Sequence, residues 1–278
     1  MIVRYESDGS IVMITQNDHA QLSGLFAAHW GNTQFEKPRP YGSLVRAAMF
    51  HDRGWIRYET GPQLNPDTGR TPNYREVPND AAQLAAFEWA ADWLAAIDPY
   101  AGLMIARHRT GLWQGRYGAI THPPAIQRGK LPAEITALIA RSEAKQNSAA
   151  ETLDSKELAI NYNLLQVWDI MSLYICSSEV PKPDHIEPVP LSYSGQAGVP
   201  MTLTPLAADT IALDPYPLDQ HSLTTSVIFR RLHQNKFKDT AAANSLFQDG
   251  AADCIVPAGP AMIGLDKTVE ERRLPAAR

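Results

Sequence analysis

The chain has 278 residues, of which 44% are hydrophobic and 20% charged, a composition that is ordinary for a globular protein. Its formal net charge of −5 provides no basic field for nucleic acid or for an anionic membrane, so neither is expected as a partner. The first residues, MIVRYESDGS, lack the basic and apolar regions of a signal peptide, and the two cysteines give neither a disulfide framework nor a CxxC motif. These features predict a cytoplasmic protein.

The chain begins with the pattern of a β-hairpin. Two β-rich segments, residues 2–6 and 10–14, flank the turn sequence Ser-Asp-Gly. A hairpin of this size is not stable alone. We therefore expect it to pair with strands from the C-terminal part of the chain in one antiparallel sheet.

A helix is predicted to follow, from residue 15 to about residue 30. Thr15 fits its N-cap, and Asp18 supplies the acidic residue that a capping box places three positions later. One face of this helix is formed by His19, Leu22, Phe26 and His29. Because its neighbours on that face are mostly apolar, His19 is expected to point toward the core.

The second predicted helix, residues 43–53, is dense in apolar side chains and ends within the sequence AAMFHDRGW. Its last turn contains the adjacent His51 and Asp52, and Gly54 can end the helix in the left-handed conformation. A buried histidine and a buried aspartate cost free energy unless something compensates for their lost hydration. A divalent metal ion is the simplest compensation, so this pair is the first indication of a metal site.

The rest of the helical region is predicted from apolar periodicity and turn signals. A turn-rich loop covers residues 56–80, and loops of that length are often functional. Further helices are expected at residues 80–97, 99–109, 131–152 and 154–177, the second of them ending before Gly111. In the last helix Asp169 is the only charged residue between Leu158 and Ser178, and a carboxylate rarely lies unpaired in a core. The apolar segment around it is too short to cross a bilayer.

A proline-rich segment, PKPDHIEPVP, marks the end of the helical region. The segments VPMTLTPL, DTIALDPY and SVIFRRL that follow have the alternation of strands. We therefore expect a mainly α protein with a small antiparallel β-sheet, α+β overall. The predicted division is a hairpin (1–14), a helical metal-binding domain (15–178), a β-rich extension packed on the same body (179–265) and a tail (266–278).

Four residues of metal-ligand type recur along the chain: His19, His51, Asp52 and Asp169. They belong to three predicted helices, and each is set among apolar residues. Imidazole nitrogens and carboxylate oxygens suit Zn, Mn, Fe or Mg. Each residue alone also fits a core position, a helix end or an ion pair with arginine. Only the four together indicate a metal site.

This order of residues, with the adjacent pair set in AAMFHDRG, resembles the HD-domain superfamily of metal-dependent phosphohydrolases. It is also similar to a bacterial family of unknown function with HD-like helices. The resemblance covers about residues 15–178 and implies an HD-like helical bundle. It further implies a set of first-site metal ligands: His19, His51, Asp52 and Asp169.

Some members of the superfamily hold two metal ions and use two further histidines between the pair and the last aspartate. Here His108 and His122 occupy that interval. The resemblance therefore implies one or two divalent ions, drawn from Mn, Fe, Zn and Mg. The pair is followed by Arg-Gly-Trp rather than by the Ile-Gly-Lys or Ile-Gly-His common in the superfamily, so the usual auxiliary residue at this position does not carry over.

The resemblance implies metal-dependent hydrolysis of a phosphate ester on a small phosphorylated substrate. Asp52 is expected to act at the metal, whereas Arg53 and Arg109 would neutralise phosphoryl charge, because guanidinium groups bind phosphate through paired donors. Three further arginines lie near the candidate site in sequence: Arg57, Arg107 and Arg116. For Arg53 and Arg57 the alternative is a solvated position at a helix end.

Two other functions fit the same residues. The first is a di-iron oxygenase on the same scaffold, which needs both His108 and His122 as ligands. The second is a non-catalytic HD-like domain used for binding or signalling. A homo-oligomer is compatible with any of the three functions.

Overall fold

Helices occupy the middle of the chain, and strands lie mainly at its two ends. The computed structural model describes residues 1–57, 59–77, 79–120, 131–178, 181–195, 197–207, 210–249, 252–255 and 262–263. Within these residues the helices are α1 (Gln16–His29), α2 (Tyr41–Phe50), α3 (Ala81–Ala95), α4 (Pro99–Trp113), α5 (Ala133–Ala150), α6 (Ser155–Cys176) and α7 (Thr240–Asp249), with 3₁₀ helices at Arg53–Arg57 and Gly115–Gly118. The mainly helical α+β class expected from the sequence is confirmed. The predicted tail, 266–278, lies outside the described residues.

The helices begin where polar caps end the preceding loops. At α1 the Thr15 hydroxyl accepts the Asp18 N–H at 3.0 Å, so Thr15 is the N-cap as predicted. The Asp18 carboxylate accepts from the Thr15 hydroxyl at 2.6 Å rather than from the backbone N–H that a capping box uses. Asp80, Asp98 and Asp154 cap α3, α4 and α6 in the same way, each accepting a backbone N–H of the first turn. None of the helices in the described part of the chain combines the length and apolarity needed to cross a membrane.

Two glycines have a different role from the one the sequence suggested. The helix α2 ends at Phe50, not near residue 53, and Gly54 lies in the following 3₁₀ helix without a positive φ. A Cβ at Gly54 would lie 2.5 Å from Cδ1 of Phe87, so glycine is needed for close approach to α3. The helix α4 continues through Gly111, where a Cβ would overlap the hydroxyl of Tyr162. Both glycines therefore allow close packing rather than ending a helix.

The strands form two sheets, not the single antiparallel sheet that we expected. They are β1 (Ile2–Tyr5), β2 (Ile11–Ile14), β3 (Asp184–Val189), β4 (Val199–Ala207), β5 (Thr210–Asp214), β6 (Ser222–Leu223), β7 (Val227–Leu232), β8 (Ala252–Ile255) and β9 (Met262–Ile263). The first sheet has the order β1-β2-β7-β8, which confirms that the hairpin pairs with a late strand. The second has the order β3-β4-β5-β9-β6 and includes a parallel pair, β5 and β9.

The proline-rich boundary segment itself contains the strand β3, which the sequence analysis missed. Its pairing with β4 shifts register between Ile186 and Val189, and Pro188 lies within this irregularity. A proline has no N–H for the ladder, and an irregular position tolerates that loss. The helix α7 was also missed. Asp239 accepts the Ala242 N–H at 2.8 Å near its start, and Phe247 packs under the first sheet.

The main core lies between α1, α2, α4 and α6 and extends to the second sheet. Trp30 and Trp168 are fully buried in it and meet edge to face, with ring centroids 5.9 Å apart. A smaller group of Trp55, Phe87 and Trp113, here called the aromatic cluster, connects the first 3₁₀ helix with α3 and α4.

Candidate metal centre

The structure brings five of the six sequence-predicted ligands into one buried cluster. They are His19 on α1, His51 and Asp52 directly after α2, His108 on α4 and Asp169 on α6. None of the five is more than 5% exposed. Their donor atoms form two overlapping groups, each within 4.8 Å: His19, His51 and Asp169, and then His51, Asp52 and His108. We call these five residues the His/Asp cluster.

A buried nitrogen of His51 has no hydrogen-bond partner among the described residues. The other ring nitrogen, Nδ1, lies 2.8 Å from the carbonyl oxygen of Ala48 and must donate to it, because a carbonyl only accepts. In the neutral ring Nε2 is therefore unprotonated. It faces Asp169 Oδ1 at 3.4 Å and Asp52 Oδ2 at 3.7 Å. Electron-pair donors thus face one another in a buried space, an arrangement that requires a cation or a proton between them.

His19 is oriented in the same way by a hydroxyl group. The Ser172 hydroxyl donates to the carbonyl oxygen of Asp169 at 2.8 Å, so it accepts from His19 Nδ1, also at 2.8 Å. The Nε2 of His19 then faces Asp52 Oδ2 at 3.0 Å. Both histidines therefore direct an unprotonated Nε2 toward carboxylates when their rings are neutral, which is how histidines are oriented as metal ligands.

The charges in the cluster shift several pKa values. Burial lowers the pKa of His51, but the carboxylates of Asp52 and Asp169 outweigh it and raise the pKa to about 9. Burial raises the pKa of Asp52, but His51 and His19 lower it to about 2. Burial also disfavours ionisation of Asp169, yet His51 and Arg116 hold the pKa of that carboxyl well below its usual range. Both carboxylates are therefore ionised at neutral pH, and in the metal-free cluster His51 holds a proton.

His108 is held differently from the other two histidines. The side-chain amide oxygen of Gln166 accepts from Arg116, so the amide nitrogen donates to His108 Nδ1 at 2.9 Å. Burial, together with the charge of His51, lowers the pKa of His108 to about 3, so its ring is neutral and carries its proton on Nε2. In this arrangement His108 offers the cluster an N–H rather than an electron pair. The remaining predicted ligand, His122, lies outside the described residues.

Sequence analysis missed the polar residues that support the cluster. On α1, Gln16 and Ser23 share a buried face with His19; on α6, Gln166 and Ser172 lie three residues to either side of Asp169. Gln16 Nε2 donates to Asp52 Oδ2 at 3.3 Å, and Ser23 donates to Ser172 at 2.8 Å. The spacing of three or four residues within otherwise apolar helices was a signal that could have identified them.

Of the arginines that lie near the site in sequence, Arg116 contacts a cluster residue, whereas Arg53 and Arg109 lie against aromatic rings. The Cζ atom of Arg109 lies 3.4 Å from the ring centre of Phe87, and that of Arg53 lies 5.3 Å from the ring centre of Trp93. Both guanidinium groups therefore lie against aromatic rings. Arg116, in contrast, directs Nη1 and Nη2 at Asp169 Oδ2, each at 3.2 Å. Its φ of 59° lies in the left-handed region, which is uncommon for a residue other than glycine.

Comparison with known proteins places the chain in a family. Residues 1–234 match a family described as a protein of unknown function, DUF3891. Neither a curated protein nor a solved structure matches the chain. The matched region contains the hairpin, the helices α1 to α6 and the whole His/Asp cluster. The chain therefore belongs to the DUF3891 family of proteins of unknown function.

Proposed function

We propose that this protein is a metal-dependent hydrolase of phosphate esters, built on an HD-like helical scaffold. The observation that carries the proposal is the unpartnered, buried Nε2 of His51, which faces two ionised carboxylates. In the metal-free cluster a proton on His51 occupies this position, and a divalent cation would take its place between the same groups. The donor set of imidazole nitrogens and carboxylate oxygens fits such a cation.

In this proposal His19, His51, Asp52 and Asp169 hold the cation. Ala48 and Ser172 fix the orientation of the two imidazoles, and Gln16 and Arg116 do the same for the two carboxylates. A divalent ion bound there would lower the pKa of a coordinated water and polarise a phosphoryl oxygen. The neutral His108, with its proton on Nε2, is suited to donate a hydrogen bond to a substrate oxygen.

The resemblance to the HD-domain superfamily supports the proposal. Residues from α1, from the junction after α2 and from α6 meet in one buried cluster, as the order His, His-Asp, Asp implies. The phosphate ester as substrate follows from this resemblance. The continuation Arg-Gly-Trp after the pair is the main difference from the superfamily, and Arg53 lies against Trp93.

The proposal is tested first by elemental analysis of the purified protein and of two variants. Asp52→Asn keeps the shape of a ligand but removes its charge, and we expect it to lose the metal. Removing a group that only orients a metal ligand lowers activity by roughly tenfold to hundredfold. We expect Asp52→Asn to lower the turnover of a panel of phosphate esters by more than that. The matched control is His29→Ala, since His29 pairs with Asp219 at the far end of α1.

We expect the control to keep both metal and activity. Wild-type protein without metal after reconstitution, or an Asp52→Asn variant that retains its full metal content, would contradict the proposal. The di-iron oxygenase alternative has its own signature in the same experiment: two iron ions per chain and consumption of O₂. Stable metal binding without turnover of any ester would instead favour a binding or signalling domain.

A further inference from the structure

Arg116 connects the His/Asp cluster with the segment that follows α4. It lies in the 3₁₀ helix Gly115–Gly118, where Arg116 and Tyr117 both have positive φ values, 59° and 51°. This conformation is uncommon for residues other than glycine and persists only where the surrounding contacts hold it. The Arg116 side chain is 13% exposed, and its guanidinium group reaches two residues of α6, Asp169 and Gln166.

The two carboxylate oxygens of Asp169 have different partners. Oδ2 accepts from Nη1 and Nη2 of Arg116, each at 3.2 Å, whereas Oδ1 faces Nε2 of His51 at 3.4 Å. The two guanidinium N–H groups take up both lone pairs of Oδ2. Asp169 can therefore offer Oδ1 to one ion, but it cannot bridge two ions through both oxygens while Arg116 is in place.

Gln166 makes the orientation of His108 depend on Arg116. An arginine only donates, so the side-chain oxygen of Gln166 faces Arg116 and its nitrogen donates to Nδ1 of His108 at 2.9 Å. A ring nitrogen that accepts a hydrogen bond carries no proton, so the ring is neutral and its proton is on Nε2. One nitrogen of His108 lies within 4.8 Å of ligand atoms of His51 and Asp52. Neither nitrogen, however, has a free electron pair for a metal ion.

The charges of these side chains also suit a single divalent ion. The carboxylates of Asp52 and Asp169 supply the negative charge of the cluster, and the guanidinium group of Arg116 offsets part of it. One divalent ion balances the remainder, whereas a second ion would leave a large excess of positive charge in a buried space. Buried charge without a compensating partner costs several kcal/mol, so these residues favour one ion over two.

We propose that Arg116 and Gln166 limit the His/Asp cluster to one divalent ion. Arg116 does so by occupying Oδ2 of Asp169, and Gln166 by keeping the proton of His108 on Nε2. Both are positioning residues, because each acts through a residue of the cluster. The inference rests on the proposed function, since it assumes that the cluster holds a cation. A single ion is compatible with hydrolysis, whereas the di-iron oxygenase alternative needs a second ion.

The first test measures the metal content of the full chain, with Mn²⁺ alone as the probe. After equilibrium dialysis against excess Mn²⁺ we expect about one tightly bound ion per wild-type chain, with the electron paramagnetic resonance spectrum of an isolated ion. Two ions held roughly 3.5–4 Å apart would instead give the spectrum of a coupled pair. In the metal-free protein, nitrogen NMR of the imidazole rings should place the proton of His108 on Nε2.

The double variant Arg116→Gln/Gln166→Glu removes both restrictions. Without the guanidinium group Oδ2 of Asp169 becomes available, and a carboxylate at position 166 accepts from Nδ1 of His108, which frees the electron pair of Nε2. We expect this variant to bind about two ions per chain and to give the spectrum of a coupled pair. Gln166→Glu alone keeps Arg116 as a partner, so it serves as a second variant if the double variant does not fold. It should move the proton of His108 to Nδ1.

The matched control is Arg107→Gln. Arg107 precedes His108 on α4, but its Cζ lies over two tyrosine rings, 5.5 Å from the ring centre of Tyr162 and 5.9 Å from that of Tyr117. It therefore removes an arginine close to the cluster without releasing Asp169. We expect this variant to bind the same number of ions as the wild type and to keep the proton of His108 on Nε2.

The outcomes separate the inference from the proposed function. Failure of the wild type to bind a metal overturns both. A wild type that binds two ions as a coupled pair, or whose His108 carries its proton on Nδ1, overturns the inference alone. A folded double variant that still binds one ion, or a Gln166→Glu variant whose His108 proton stays on Nε2, would show that Arg116 and Gln166 do not limit the site.

Discussion

His19 and His51 donate one ring N–H each to a neutral oxygen and direct the other nitrogen at carboxylates. The neutral acceptors are the Ser172 hydroxyl and the Ala48 carbonyl, at 2.8 Å in both cases. Because both acceptors are neutral, no additional charged side chain is needed to orient the two imidazole rings. The carboxylates then face either a proton on His51 or a metal ion, and the two compete for one position.

This competition predicts that metal binding releases a proton. The pKa of His51 is raised to about 9, so the metal-free cluster is protonated at pH 7 and must lose that proton when the ion binds. We expect release of about one proton per ion near neutral pH, and a metal affinity that falls as the pH is lowered and levels off above the pKa. Calorimetry in buffers of different ionisation enthalpy measures the number directly.

The matched control for proton release is His29→Gln. His29 pairs with Asp219 away from the cluster, so this variant should release the same number of protons as the wild type. Metal binding that releases no proton at pH 7 would show that His51 is not protonated in the metal-free protein, and would contradict the assignment.

The junction after α2 supplies two of the five residues of the His/Asp cluster, His51 and Asp52. The α-helix ends at Phe50, a 3₁₀ helix begins at Arg53, and the His51–Asp52 pair lies between them. The junction can lie close to α3 only because Gly54 has no side chain to meet Phe87. A side chain at residue 54 would therefore displace the junction and, with it, His51 and Asp52.

Gly54→Ala is expected to destabilise the fold by about 1–3 kcal/mol, the usual cost of overpacking. Its Cβ would lie 2.5 Å from Cδ1 of Phe87 and 3.1 Å from the carbonyl oxygen of Ala86, and the latter belongs to the backbone and cannot rotate away. Denaturant unfolding measures the loss. Because Asp52 is two residues away, metal affinity should fall as well.

Gly42→Ala is the control for this substitution. Gly42 is exposed in the first turn of α2, and the nearest atom to a Cβ there would be 3.6 Å away. We expect no loss of stability, and a gain of up to about 1 kcal/mol from the better helix propensity of alanine. A Gly54→Ala variant as stable as Gly42→Ala would show that the close approach to Phe87 is not required.

At the scale of the whole molecule, the cluster joins parts of the chain that are far apart in sequence. Its members come from α1, the end of α2, α4 and α6, and the loop at residues 71–74 is attached to β1. The hairpin is in turn completed by β7, more than two hundred residues later. An ion bound to these ligands therefore binds the native fold and not the unfolded chain.

We expect the metal to stabilise the whole molecule. At a free metal concentration of about 100 times the dissociation constant, a ligand specific for the native state adds about 2.7 kcal/mol. For a chain of this size that corresponds to a rise in melting temperature of roughly 5–10 °C. Thermal unfolding with added metal, and again after a chelator, measures the shift. Asp52→Asn should show no response, and a wild type with equal melting temperatures in both conditions would contradict the proposed site.

Several features were predictable from the sequence because their signals are local. Thr15, Asp80, Asp98 and Asp154 cap helices within a few residues of the predicted starts, since a cap acts only on the first turn. The ligand candidates were recognisable because polar residues stand out in apolar helices. The strand β3 escaped prediction because its prolines, taken alone, indicate a turn, and only its pairing with β4 shows that an irregular register accommodates them.

By itself, the sequence determined the main helices, the hairpin and the identity of the candidate ligands, because helix caps and apolar periodicity act over one or two turns. The tertiary structure alone decided which polar groups meet. It directed Arg53 and Arg109 onto aromatic rings, placed Gln166 between Arg116 and His108, and attached the loop at residues 71–74 to β1. These contacts depend on how helices pack and how a loop attaches to a distant strand, and such long-range geometry leaves no pattern in the neighbouring residues.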